Sequence, residues 1–151
     1  GEFYHPGYAW ATRRDIWDGV GGLLDTPILG SADNYMAQAL LGQVEVIIPG
    51  GVSQPYKDAI LEWQERAEAV VKRNLGAVGG LILHNWHGPK AGRRYQDRNQ
   101  ILIDTQFNPE TDLRRDWQGL YQLGHRADER SFALRDRVRQ YFHQRREDDL
   151  R

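Results

Sequence analysis

A helix-rich α/β fold with a few short strands is what the sequence predicts, and three observations carry that prediction. Apolar side chains recur at helical spacing from Tyr56 through Ile60, Trp63, Ala67, Val70 and Val71. Short apolar runs at Val44–Ile48 and Ala77–His84 are bracketed by Gly and Pro, as strands are. A second helical stripe, Leu134, Val138, Tyr141 and Phe142, runs through an arginine-rich tail.

Taken in order, residues Tyr8–Thr12 are aromatic and small and suit a short strand, and Arg13–Val20 suits a brief helix stopped by Gly21-Gly22. The segment Ser31–Gly42 holds a capping residue, an apolar stripe at Met36, Ala39 and Leu40, and a terminal glycine, which describes a buried helix. Val44–Ile48 follows as a strand ended by Pro49-Gly50-Gly51. The spacing predicts a long helix over Pro55–Leu75, with Ser53 able to cap it and Gly76 able to close it. Ala77–His84 reads as a buried strand. Arg93–Phe107 reads as a helix offering Tyr95, Ile101, Leu102 and Ile103 to the core, with Asn108-Pro109 as its stop. From residue 112 to 151 the chain reads as a helical C-terminal appendage whose apolar face packs on the domain or on another chain, so the boundaries are 4–111 and 112–151.

At 151 residues, with 40% hydrophobic and 27% charged residues, the chain can build a real core. Twenty basic and 21 acidic residues give a formal charge of −1, so no global field steers it onto nucleic acid or an anionic membrane. No apolar run approaches the ~18 residues of a spanning helix. The lack of cysteine removes disulfide and thiolate chemistry, leaves any metal to His, Asp and Glu, and leaves the compartment open with the cytoplasm favoured. Gly1-Glu2-Phe3 is set aside, and a chain entering directly into Tyr4–Thr12 reads as beginning inside a fold.

Chemistry could sit in three stretches. The first is Gly7-Tyr8-Ala9-Trp10-Ala11-Thr12-Arg13-Arg14, followed by Gly21-Gly22-Leu23-Leu24-Asp25. The second is Leu29-Gly30-Ser31-Ala32-Asp33-Asn34-Tyr35-Met36, where Asp33 falls at a helix start and the helix N–H groups favour its ionised form. An aspartate there is equally an ordinary cap. The third, Ile82-Leu83-His84-Asn85-Trp86-His87-Gly88-Pro89-Lys90-Ala91-Gly92-Arg93-Arg94-Tyr95, leaves a strand for a basic, glycine-containing loop. Its two histidines are either metal ligands or a packed polar edge.

In this order the stretches resemble the acceptor-side, C-terminal part of a GT-A-fold, metal-dependent glycosyltransferase. The resemblance covers roughly residues 4 to 107 and implies an incomplete GT-A-like domain. Asp33 would be the general base on the acceptor hydroxyl, although Ala32 stands where the family pattern has a glutamate. His87, with His84 its competitor, would bind a divalent metal, manganese by preference, and Lys90, Arg93 and Arg94 would hold the donor diphosphate. Trp10 and Trp86, beside the motif stretches, are candidates to bind the acceptor sugar, the remaining tryptophans being assigned to the core. Such an enzyme transfers from a nucleotide sugar with inversion.

The family's nucleotide-binding half with its Asp-x-Asp motif does not occur in these residues, and Gly76–Gly80 does not form a phosphate-binding turn. A non-catalytic assembly module forming a homo-oligomer is the alternative. The arginine-rich tail makes a nucleic-acid binder a weaker third, since acids are interleaved with the arginines. If the resemblance holds, Asp33 and His87 share one cleft, because the base and the cation must flank the same anomeric carbon. The 151-residue chain alone is expected to turn over no nucleotide sugar, and product formation in a radiolabelled-donor assay with manganese would overturn this.

Overall fold

The computed structural model of the chain describes residues 9–83, 93–95, 97–124 and 127–145. Helices dominate it, with a two-stranded sheet, which agrees with the helix-rich α/β class. Two compact units divide the chain, one of Gly1–Ile48 with Lys57–Leu83 and one of Pro49–Tyr56 with His84–Arg151.

In the first unit, α1 (Arg14–Val20) begins beside an Arg13–Asp15 ion pair and ends on Gly21 and Gly22. Both glycines take left-handed φ values, 83° and 85°, and both donate to the Trp17 carbonyl, which satisfies the terminal acceptors of the helix. The segment α2 (Ala32–Leu40) buries Tyr35, Met36 and Ala39 and closes at Gly42, as the stripe predicts. Its N-cap, Ser31, also sits in the left-handed region, at φ 74°.

The expected strand at Val44–Ile48 is instead a 3₁₀ helix over Val44–Ile47. Its β-branched residues favour a strand, but no strand lies beside it among the described residues. The backbone is satisfied locally: the Ile48 N–H reaches the Glu45 carbonyl, and the Val44 N–H reaches Gln64 Oε1 at 2.9 Å. The long helix α3 (Gln54–Val71) is present and buries Ile60, Trp63 and Ala67. It stops short of Leu75 because Lys72 and Arg73 turn left-handed, at φ 52° and 57°. Residues 77–83, expected as a buried strand, form no regular structure, and Val78 is 99% and Leu83 84% exposed. A strand needs a partner, and none among the described residues pairs with this segment. Ala9–Thr12 is likewise irregular rather than a strand, and Tyr8 lies outside the described residues.

In the second unit, Ser53 caps the start of α3, its Oγ accepting from the Tyr56 N–H and donating to the Phe107 carbonyl. The rings of Tyr56 and Phe107 meet edge to face at 5.8 Å. The helix expected over Arg93–Phe107 shortens to α4 (Asn99–Asp104), with Ile101 and Leu102 buried and Tyr95 exposed. Arg94, at φ 47°, breaks the helical path before it. Asn108 both stops this segment and caps α5 (Pro109–Asp112), accepting from the Glu110 N–H.

Where a wholly helical tail was expected, an antiparallel hairpin comes first. Strands β1 (Leu113–Arg115) and β2 (Tyr121–Leu123) pair in the register Arg114 opposite Gln122. Helix α6 (Glu129–Gln144) follows, capped by Asp128, and packs on α4 with Leu134 and Tyr141 buried. Its position is set by Arg130, whose guanidinium grips the buried Asp112 carboxylate and also donates to the Thr105 carbonyl at 2.9 Å. Asp112 in turn accepts from the Asn108 N–H.

Removing the arginine takes two hydrogen bonds and the balancing charge from a buried carboxylate. Arg130→Ala is expected to cost the second unit about 2–3 kcal/mol, and Arg130→Lys, which keeps the charge but not the fork, to cost less. Urea unfolding and hydrogen exchange at the α6 amides check this, and unchanged protection in Arg130→Ala would overturn it.

Candidate functional site

The first two motif stretches meet in the first unit. Helix α3 pins the double-glycine turn, with Trp63 Nε1 donating to the Gly22 carbonyl at 3.1 Å and Arg66 Nε to the Val20 carbonyl at 2.9 Å. Leu24, just beyond the turn, donates its N–H to the Met36 sulfur of α2 at 3.4 Å. The Gly21–Asp25 stretch is thereby fastened to the helix that carries Asp33.

Asp33 is the second residue of α2 and is half-buried. Its Oδ1 accepts from the neighbouring Asn34 N–H at 2.9 Å, and among the described residues it forms no ion pair. The turn before it is conformationally unusual, with Gly30 at φ 99° followed by Ser31 at φ 74°. A non-glycine residue there stores a little strain, which the buried Leu29 and Tyr35 on either side hold in place. Ser31 makes no side-chain cap, so Asp33 supplies the carboxylate of the first turn. A carboxylate at a helix start can accept a hydrogen bond from a hydroxyl.

Most of the third stretch lies outside the described residues. His84, Trp86, His87 and Lys90, and with them both expected metal ligands, lie outside the described residues, so the expected Asp33–His87 cleft is not described either. Arg93 and Arg94 belong to the second unit. Arg93 Nη1 donates to the Tyr95 hydroxyl at 2.9 Å. Arg94 forms an ion pair with Asp97 at 2.5 Å and donates to Gln144 Oε1 at 3.0 Å. A diphosphate would compete with Asp97 for Arg94.

No protein-family model, no curated protein and no solved structure matches the chain.

Among the described residues, no three His, Asp or Glu side chains converge as a metal site, and no helix is long and apolar enough to cross a membrane. The tryptophans divide differently from expectation. Trp10 is 48% exposed, compatible with a contact role, and Trp63 is core. Trp117, assigned to the core, is 90% exposed at the tip of the β1–β2 hairpin. The signal that could have found it is the turn Asp116-Trp117-Gln118-Gly119, a side-chain acceptor followed three residues later by glycine.

The hydrogen bond from the Arg94 guanidinium holds the Asp97 carboxyl below the usual carboxylate range. Because that pKa is depressed in the folded state, the pair contributes above the unfolded value of about 3.9, and its contribution is lost as pH falls through the folded value. Carbon-detected titration is expected to show Asp97 below its ordinary value in the natural chain and returned toward it in Arg94→Gln. An Asp97 titration unmoved by that substitution would overturn the assignment.

Proposed function

We propose that this chain supplies the acceptor side of an inverting, metal-dependent glycosyltransferase that uses a nucleotide-sugar donor. The observation that carries the reading is the setting of Asp33. It is a carboxylate on the first turn of α2 that accepts from the Asn34 N–H and forms no ion pair among the described residues, behind a strained Gly30-Ser31 turn, on a helix tied to the Gly21–Asp25 stretch. In this reading Asp33 accepts the proton of an acceptor hydroxyl as that oxygen attacks the anomeric carbon and the carbon–phosphate-oxygen bond breaks. His87, or His84 in its place, would bind a divalent cation, whose chemistry is to neutralise charge on the departing diphosphate. Lys90, Arg93 and Arg94 would hold the diphosphate oxygens, Arg94 by exchanging Asp97 for phosphate, and Trp10 and Trp86 would contact the acceptor. The nucleotide pocket would be supplied by polypeptide outside these residues. The absence of cysteine favours a cytoplasmic setting.

A second reading, an assembly module that forms a homo-oligomer, is favoured by one observation: Val78, Leu81 and Leu83 are 99%, 86% and 84% exposed in an apolar segment. Sedimentation separates it, since a clean monomer at tens of micromolar would remove it.

The glycosyltransferase reading is tested by titrating the isotope-labelled chain with manganese and a nucleoside diphosphate and following amide signals. Paramagnetic broadening is expected at residues around His87 and also at Asn34 and Tyr35, with His87→Ala abolishing both. Broadening near His87 that leaves the start of α2 untouched, or none at millimolar ligand, would remove the main support and leave the assembly reading ahead.

A further inference from the structure

We propose that Trp117 is the stacking platform of a carbohydrate-binding site that takes a neutral oligosaccharide, an inference that rests on the glycosyltransferase reading for the class of ligand. A tryptophan 90% exposed on a folded chain leaves nearly its whole ring in water. Here it is not on a loose loop. The Asp116 carboxylate accepts from the Gln118 N–H and the Leu120 N–H, both at 2.9 Å, and from Gln122 Nε2 at 3.1 Å. The Asp116 N–H donates to the Leu120 carbonyl at 2.9 Å, and the Gly119 N–H donates to the Asp116 carbonyl at 3.0 Å, with Gly119 at φ 80°. Arg115 closes the other side, donating to the Gly119 carbonyl and the Tyr121 hydroxyl while lying 4.1 Å from the Tyr121 ring centre. The turn is therefore ordered before any ligand arrives, and binding at its tip loses little conformational entropy.

The surroundings select the ligand. A sugar ring offers an apolar C–H face to an aromatic ring and a rim of hydroxyls to polar groups. Gln118 is exposed next to the indole, and the Arg114–Gln122–Asp116 chain of hydrogen bonds lies on the same hairpin. Here the guanidinium can donate to hydroxyls, the carboxylate can accept from them, and the amides can do both. A nucleic-acid strand would need basic groups for its phosphates. The hairpin offers two arginines against the Asp116 carboxylate, so its described residues form no basic track beside Trp117, and the whole chain carries a formal charge of −1. A membrane surface would meet Asp116, Gln118 and Gln122 interleaved with Trp117 and Leu120 on one short turn, a tip too small and too polar for an inserting apolar face.

The experiment follows the indole N–H signal of Trp117 in the labelled chain, assigned by its loss in Trp117→Phe. The titrants are maltotriose, the trimer of N-acetylglucosamine and a galactose trisaccharide, with short oligothymidine as the base-stacking control. At least one trisaccharide is expected to shift the signal at millimolar concentration. Trp117→Ala is expected to weaken that binding about tenfold or more, and Trp117→Phe, which keeps a ring, to weaken it less. The side chain is exposed, so both variants should keep the native amide spectrum. Silence toward all three sugars, equal binding by Trp117→Ala, or a response to oligothymidine alone would overturn the proposal. Neither cation nor nucleotide is present, so a negative result here leaves the Asp33 reading standing. Failure of manganese to reach Asn34 and Tyr35 would likewise leave a positive sugar titration intact.

Discussion

Two side-chain donors on α3 hold the first unit in its working shape. Trp63 and Arg66 reach back to the carbonyls of Gly22 and Val20, at the end of α1, where a helix has run out of its own N–H partners. A buried carbonyl left unpaired there would cost about 1–3 kcal/mol. The turn therefore stays where α3 can meet it. Everything downstream inherits that position: Leu24 is buried, its N–H meets Met36, and α2 starts where the Gly30-Ser31 turn allows. Asp33 owes its place to a tryptophan and an arginine that never approach it in sequence.

The second unit solves the same problem with one carboxylate. Asp112 accepts from Asn108 behind it and from Arg130 ahead, so a short capped helix, a hairpin and the start of α6 are tied at a single buried point. Arg130 is part-exposed while Asp112 is 4% exposed, which lowers the desolvation cost on the cationic side and leaves the geometry to the fork of the guanidinium. Asp104 and Arg137, paired at 2.8 Å along the same helix contact, lie at the surface and add much less.

What could be read from the sequence follows the range of the forces involved. The helices α1, α2 and α3 were legible because their signals are local: a stripe at helical spacing, a glycine able to turn left-handed at each of the first two ends, a serine cap at Ser53. The strands at Val44–Ile48 and Ala77–His84 were not, because β-branched and apolar composition says only that a segment would suit a sheet, whereas the pairing partner is a distant fact. The hairpin was missed for the converse reason. Its strands, Leu-Arg-Arg and Tyr-Gln-Leu, are too short and polar to show alternation, and only the turn between them carries a signal. Of the candidate site, Asp33 could be placed from its cap-like spacing. The Arg94–Asp97 ion pair could not, since an arginine and an aspartate three residues apart are as often solvent-facing as paired.

Exposure of apolar side chains means different things at the two places where it is greatest. Around Val78, Leu81 and Leu83 the backbone has no regular hydrogen-bonded structure, and a partner would have to order it, at roughly 1–2 kcal/mol per residue, before gaining from burial. Glycines 76, 79 and 80 raise that cost, because they have the most freedom to lose. At Trp117 the ordering is already complete: Asp116, Gly119 and Arg115 fix the turn, and the strands fix the turn to α5. A rigid, wet aromatic ring can bind a small ligand with the energy of a single stacked contact, because nothing else must be organised first. The apolar segment can repay its entropy only against a large surface that pairs its backbone as well. The ordered ring can engage a small ligand at once, whereas the irregular segment needs an extended surface to repay its ordering.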